Sequence, residues 1–491
     1  MRNTSCKKEI TLLILFLFAV LSFLPLTGCR AIEKPFLLTS FGTTLHVGGS
    51  GPGNYTSIQE AINNATDGDT VFVFDDNSPY YENVVVNKSI QLVGENREST
   101  IIDGGGNRDV VIIKNDWVEI NGFTIRNSGS NHSSRDSGIK VRSNNTDISN
   151  NDIISNNRYG VFLDSSSHDT KIIDNNISSN YNYGISLYYS SYNTINYNII
   201  DSNNHDGIWL DFSYNNTISN NIINSNNLDG IYLRSCNHNN IIIGNDISNT
   251  ETGIFFYLSN NNNNIILSNN ISNNWMGIRF SRSNINNVIS RNTINSNHQH
   301  GVYLDRCSNE PILNNTFVSN NWSGIYLESS NNITISHNAI KSNHEHGIIF
   351  WNSTNVLISD NVITSNHGNG IDISYSDEIN VSTNALSFNN GGIDLFRSSN
   401  IKIFKNIITN NNVSIFQKFC TGNKIVRNNF IDNQQNPLFR GCNNLSWDEN
   451  YWNRRRFLPK AIFGTAGLFF GLIPWINFDW HPAQEPNVIL I

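Results

Sequence analysis

Three sets of side chains have the types and spacing to do chemistry. Asp305 and Glu328 close two near-identical phrases, Val302-Tyr303-Leu304-Asp305 and Ile325-Tyr326-Leu327-Glu328, with Arg279 one phrase earlier. Two carboxylates about 5 Å apart would suit a retaining glycosidase, one as acid and one as nucleophile. Histidine recurs before glycine as His298-Gln299-His300, His344-Glu345-His346 and His367. Imidazoles that converge suit copper, zinc or nickel. The third set is Trp209, Tyr232, Phe255, Tyr303 and Tyr326 with Asp211 and Arg234, two or four places after a recurring glycine. Rings beside charged groups on one exposed surface are what a sugar polymer would use.

Whether any of these residues meet depends on the repeat that carries them. Gly-Val-Phe-Leu at Gly160, Gly-Ile-Ser-Leu at Gly184, Gly-Ile-Trp-Leu at Gly207 and Gly-Ile-Tyr-Leu at Gly230 are one phrase, and the lead glycine returns through Gly392 at steps of 22, 23 or 24. Each unit holds three short apolar runs, too short for helices, separated by Asn and Ser. Ile and Val favour strands, and Asn and Ser favour corners. A coil of about 23 residues with three strands is one rung of a right-handed parallel β-helix, an all-β fold. A leucine-rich repeat would need a helix-forming run where this chain has Asn and Ser.

Stacking turns sequence columns into rows of neighbouring atoms. Asn198, Asn221, Asn315, Asn338, Asn361 and Asn384 lie fourteen places after their glycines, and Asn203, Asn226, Asn320, Asn343, Asn366 and Asn389 nineteen. At a rung spacing of about 4.8 Å their amides can bond to the copies above and below. A column of Ser six after the glycine includes Cys236 and Cys307, which read as small corner residues. Cys420 and Cys442 lie one coil apart, so they can stack at disulfide distance in an exported protein, with two reduced corner cysteines as the alternative. In the glycine-led strand, alternation sends the residues one and three after glycine inward and those two and four after it to solvent. That places Asp305 and Glu328 on adjacent rungs, and His344 over His367. Corner histidines can also simply replace Asn as hydrogen-bonding side chains.

Chain length and 38% apolar content allow a large continuous core. A net charge of −8 argues against a nucleic-acid partner. Residues 1–28 read as a signal peptide: Arg2, Lys7 and Lys8, an apolar run from Ile10 to Leu24, then Leu26-Thr27-Gly28-Cys29 as a lipobox with Cys29 lipidated. Residues 30–43 read as a linker. Residues 44–137 read as an N-terminal cap and irregular first rungs. Ser57-Ile58-Gln59-Glu60 has capping-box form and opens a helix that would plug the solenoid. Residues 138–452 are regular coils. Residues 453–491 form a cap over the last rung or a membrane-associating tail, since the run Ala461 to Ile476 is too short to span a bilayer.

The line Glu82-Asn83-Val84-Val85-Val86-Asn87-Lys88-Ser89-Ile90-Gln91-Leu92-Val93-Gly94, the Asn/Ser-rich coils and the closing Asn450-Tyr451-Trp452 resemble the NosD-type periplasmic β-helix family, within the broader class of carbohydrate-binding and sugar-hydrolase β-helices. The similarity runs from about Thr43 to Trp452 and rests on structural motifs. The motifs of pectin methylesterases, polygalacturonases and alginate epimerases are missing from the chain. The resemblance implies copper or another divalent metal, with membrane transporter partners, and no cofactor is required by the other readings. The leading expectation is an exported, lipid-anchored binding protein for a polysaccharide or envelope glycan. The alternatives are a metal-handling accessory using His298, His300, His344, His346 and His367, and a polysaccharide hydrolase or lyase centred on Asp305, Glu328 and Arg279.

Overall fold

Strand follows strand because each coil offers three runs with the same inward apolar side chains. The coil Ile208–Asp211, Thr217–Ser219, Ile222–Asn224 pairs in parallel, residue for residue, with Ile231–Leu233, Ile241–Ile243 and Asp246–Ser248 of the next coil. Ile208, Leu210, Ile218 and Ile223 are fully buried, and each such side chain contributes about 1.5–3 kcal/mol of burial. Repetition of this unit gives an all-β, right-handed parallel solenoid of about 18 turns. Three faces run along the rod, and the one led by glycine is the first face below. A computed structural model describes residues 42–258, 261–282, 284–468 and 471–490, without the side chains of 468, 471 and 472. The leader, the lipobox at Cys29 and nearly all of the 30–43 linker lie outside the described residues.

The lead glycine is required by the close approach of the next coil. A Cβ on Gly207 would lie 2.8 Å from Gly230 O, and one on Gly230 2.6 Å from Gly253 O. The glycines therefore stand one above another.

Corners are built from a left-handed residue followed by Asn. Asn220 and Ser225 have φ of 53° and 52°, a region that Asn tolerates and most residues avoid, and they precede Asn221 and Asn226. The amide of Asn198 donates to Asn221 Oδ1 at 3.0 Å and to Ile172 O at 2.7 Å, and its backbone N–H reaches the same Oδ1 at 2.9 Å. The column continues in both directions, from Asn151 to Asn450, where Asp479 ends it by accepting the N–H of Asn450 at 3.0 Å. A third ladder, Asn193–Asn216–Asn240–Asn264–Asn287, ends on the buried Glu310.

The small-residue column departs from expectation at Cys236. Ser213 N–H donates to Asn237 Oδ1, 24 residues on, because this coil carries one extra residue. Cys307 keeps its corner place, its N–H on Ser330 Oγ at 3.1 Å. The disulfide is absent: Cys420 and Cys442 are free thiols, and Cys420 N–H donates to Cys442 Sγ at 3.2 Å. The thiols stand where neighbouring coils have Ser, and they serve as corner acceptors.

The helix Ile58–Asn64 buries Ile58, Ala61 and Ile62. Its N-cap Ser57 accepts from Glu60 N–H, but the reciprocal carboxylate comes from Glu82 of the first rungs, which accepts from Ile58 and Gln59 N–H at 2.9 Å each. At the other end Lys460–Leu468 and Gly471–Asp479 pair as an antiparallel hairpin. It lies on the last coil through Phe439↔Gly464 and Trp447↔Asp479. Phe463, Trp475 and Trp480 are exposed on it. No helix among the described residues is long and apolar enough to cross a membrane.

Candidate functional site

The first face carries the aromatic row in unbroken register: Trp209↔Tyr232, Tyr232↔Phe255, Phe255↔Arg279, Arg279↔Tyr303 and Tyr303↔Tyr326. Five rung steps make the row roughly 24 Å long. Parallel strands in register place side chains of equal phase on one side, so this alignment follows directly from the repeat.

Two features differ from the expected outward, open rings. Trp209 is only 8% exposed and Asp211 only 4%, because Tyr183 and Tyr188 pack over them. Burial raises the Asp211 carboxyl against the opposing pull of Arg234. The ring planes also face one another along the rod: Tyr183–Trp209 at 5.2 Å and 3°, Tyr232–Phe255 at 5.3 Å and 16°, Tyr303–Tyr326 at 5.2 Å and 27°. A ligand above the row therefore meets ring edges, hydroxyls and the charged groups between them, rather than ring faces. The phenols of Tyr183, Tyr232 and Tyr303 are pushed upward, chiefly by burial, and stay protonated as donors at neutral pH.

The proposed catalytic trio is aligned but not assembled. Asp305 and Glu328 are register partners as expected. Glu328, however, accepts the hydroxyl of Tyr303, and Asp305 is held by Arg306 Nε at 3.1 Å. The Arg279 guanidinium lies between Phe255 and Tyr303, 4.9 and 5.9 Å from their ring centres. Each side chain is engaged by a different neighbour, so no acid–nucleophile pair is set up there. Further along the same row Asp372 pairs in register with Asp394, whose carboxyl is raised to about 7 by burial and then by Asp372.

The five histidines fall in two columns and do not converge. His298, Asn321, His344 and His367 form one exposed column, in which only His344 and His367 are adjacent, their ring centres 4.7 Å apart. His300 and His346 form the other, one place before the glycine and separated by Ser323. There each Nδ1 accepts a backbone N–H of the next coil, from Ser323 at 3.3 Å and Asn369 at 3.0 Å. His300 is buried, which lowers it to about 4 and keeps it neutral. Among the described residues no three His, Cys, Asp or Glu side chains are grouped to hold a metal. Two imidazoles without a third donor do not fit a resident copper ion.

One cleft on this face involves residues outside the sequence columns. A cleft of about 610 Å³ lies at the N-terminal end of the face, floored by Phe162, Tyr183 and Trp209 and walled by Arg135, Arg158 and Arg234. Tyr159 and Tyr183 belong to the column just before the glycine, and Arg135 to the loop ahead of strand Ser137–Val141. Aromatics at that preceding place, Tyr159 and Tyr183, were the available signal. Asn182 and His205 complete the rim.

Two family models agree with the fold that this geometry shows. The family model for "Periplasmic copper-binding protein (NosD)" matches residues 228–355 and 318–462, and that for the right handed beta helix region matches residues 97–266. No curated protein matches the chain in sequence. Among solved structures, a mutant of the periplasmic alginate epimerase AlgG is 15% identical over 66% of this chain and 73% of its own, with a TM-score of 0.37. Bacteriophage phi29 gene product 12 is 14% identical over 79% and 70%, with a TM-score of 0.46. A mannuronic acid specific polysaccharide family 6 lyase from human gut microbiota is 12% identical over 70% and 87%, with a TM-score of 0.45.

Proposed function

We propose that this right-handed β-helix protein, NosD-type in its coils, is an exported glycan-binding protein that lays a sugar chain along its first face. The observation that carries the reading is the register of Trp209, Tyr232, Phe255, Tyr303 and Tyr326 in one row, interleaved with Arg279 and bordered by Arg234, Asp305 and Glu328. Ring edges along such a row pack against the sugar, the Tyr232 and Tyr326 hydroxyls donate to sugar hydroxyls, and partial burial limits the rotamer entropy lost on binding. A lipid anchor at Cys29 would hold the rod at a membrane surface.

The test is binding of an oligosaccharide panel, neutral and acidic, to the wild type and to the Tyr303→Ala/Tyr326→Ala double variant. A bound glycan whose affinity falls at least tenfold in the variant supports the reading. Wild-type protein that binds none of the panel, or a variant with unchanged affinity, contradicts it. The copper reading has less support, resting on the family description and the single His344–His367 contact.

A further inference from the structure

We propose that the cleft between Arg135, Arg158 and Arg234 is a subsite for an anionic sugar residue, its carboxylate or sulfate received by the guanidinium groups and its ring set against Phe162, Tyr183 and Trp209. The inference rests on the glycan-binding reading for the chain that leads to the cleft, and it adds the charge class of the sugar.

The three arginines come from different coils yet line one cavity of about 610 Å³. Among the described residues Arg97, Arg126, Arg142, Arg306, Arg427 and Arg455 each have a carboxylate within 4 Å. Arg135, Arg158 and Arg234, like Arg279 and Arg282 on the same face, have none among the described residues. Asp211 is the carboxyl close to Arg135 and Arg234, and it is nearly buried. In a chain with net charge −8, three guanidiniums around one cavity with Asp211 as the nearby carboxyl are a local concentration of positive charge. A planar guanidinium matches a carboxylate or sulfate through two parallel N–H donors, and exclusion of water strengthens that pairing.

The cavity wall is built in advance of any ligand. Arg135 follows a loop pinned by Asp136, which accepts from Asn131 N–H at 2.9 Å and Ser134 Oγ at 2.5 Å. Lys140, fully buried beneath, donates to Ser134 O at 2.6 Å and to Asp109 at 2.9 Å, so its own charge is already matched. The Arg135 guanidinium is then held 4.1 Å over the ring of Tyr188. Arg158 lies 4.9 Å over the ring of Tyr159, with Nη2 on His132 Nδ1 at 2.6 Å, while its Nε is buried with no acceptor.

The experiment is calorimetric titration of the full chain with four probes: a galacturonate hexamer, its methyl ester, a sulfated neutral hexamer, and inorganic sulfate. Each is run on the wild type, Arg135→Gln/Arg158→Gln, and the exposed-site variant Arg234→Gln, which leaves the loop contacts intact. The galacturonate or sulfated hexamer should bind at least tenfold more tightly than the methyl ester, and whichever wins identifies carboxylate or sulfate. Both variants should lose most of that preference and keep the wild-type melting temperature. Equal affinity for acid and ester in the wild type, or a preference that survives both variants, overturns the subsite. If neutral chains bind and the subsite fails, the glycan reading still stands. If sulfate binds in an arginine-dependent way and no hexamer does, the anion cleft stands and the glycan reading fails.

Discussion

Asn338 Nδ2 lies 3.0 Å from Asn361 Oδ1, one coil on, and the backbone N–H of Asn338 reaches the same oxygen at 2.9 Å. Asn338 Oδ1 in turn receives the N–H and amide of Asn315. Each side chain thus closes the corner between the second and third strands of one coil and clamps it to the next.

Asn338→Ala removes this clamp and leaves buried donors on Asn315 and the carbonyl of Ile312 unpaired. At about 1–3 kcal/mol for each unmet buried group, the variant should lose on the order of 3 kcal/mol. Urea unfolding read by far-ultraviolet circular dichroism checks the loss, and an unchanged midpoint would show that the ladder contributes nothing net.

Gly324→Ala tests the close approach of coils. Its Cβ would sit 2.8 Å from both Gly347 O and Ile340 Cγ2, and the backbone oxygen cannot rotate away. A loss of about 1–3 kcal/mol is expected from such overpacking. Ala at the exposed Asn321 is the control, and equal melting temperatures for the two variants would refute the steric account.

Glu310 ends the third ladder with a carboxyl where Asn stands in the coils before it, Asn287 Nδ2 donating to Oε1 at 3.2 Å. Burial raises it from 4.5 to about 8. Between those two pH values the unfolded chain gives up the proton and the folded chain keeps it, so this group's effect is to lower stability as pH rises through that window. Glu310→Gln should match the wild type near pH 5 and exceed it at pH 8, by on the order of 2 kcal/mol. Parallel unfolding curves at the two pH values decide the sign. An equal difference at both would rule out the titration.

Much of this was legible in spacing alone, and the exceptions have physical causes. The columns through Asn198 and Asn338 are set by backbone period, which a sequence displays directly. Cys236 was misplaced because a 24-residue coil shifts its phase by one. The histidines look equivalent in sequence, but Asn321 stands between His298 and His344 and Ser323 between His300 and His346, so only His344 and His367 meet. Ring orientation depends on side-chain packing, so Tyr303 and Tyr326 could be placed in a row but not seen to face each other. Arg135 and Arg158 lie before the glycine phrase, where no column marks them, and only folding over the face brings them to Trp209.

The claim that the first face is the binding surface is tested most directly by hydrogen–deuterium exchange with and without saturating galacturonate hexamer. The account predicts slowed exchange in Tyr159–Leu163, Ile208–Asp211, Ile231–Leu233, Val302–Asp305 and Ile325–Glu328. Protection confined to the strands of the other two faces, such as Thr217–Ser219 and Ile222–Asn224, or no protection at saturation, would contradict it.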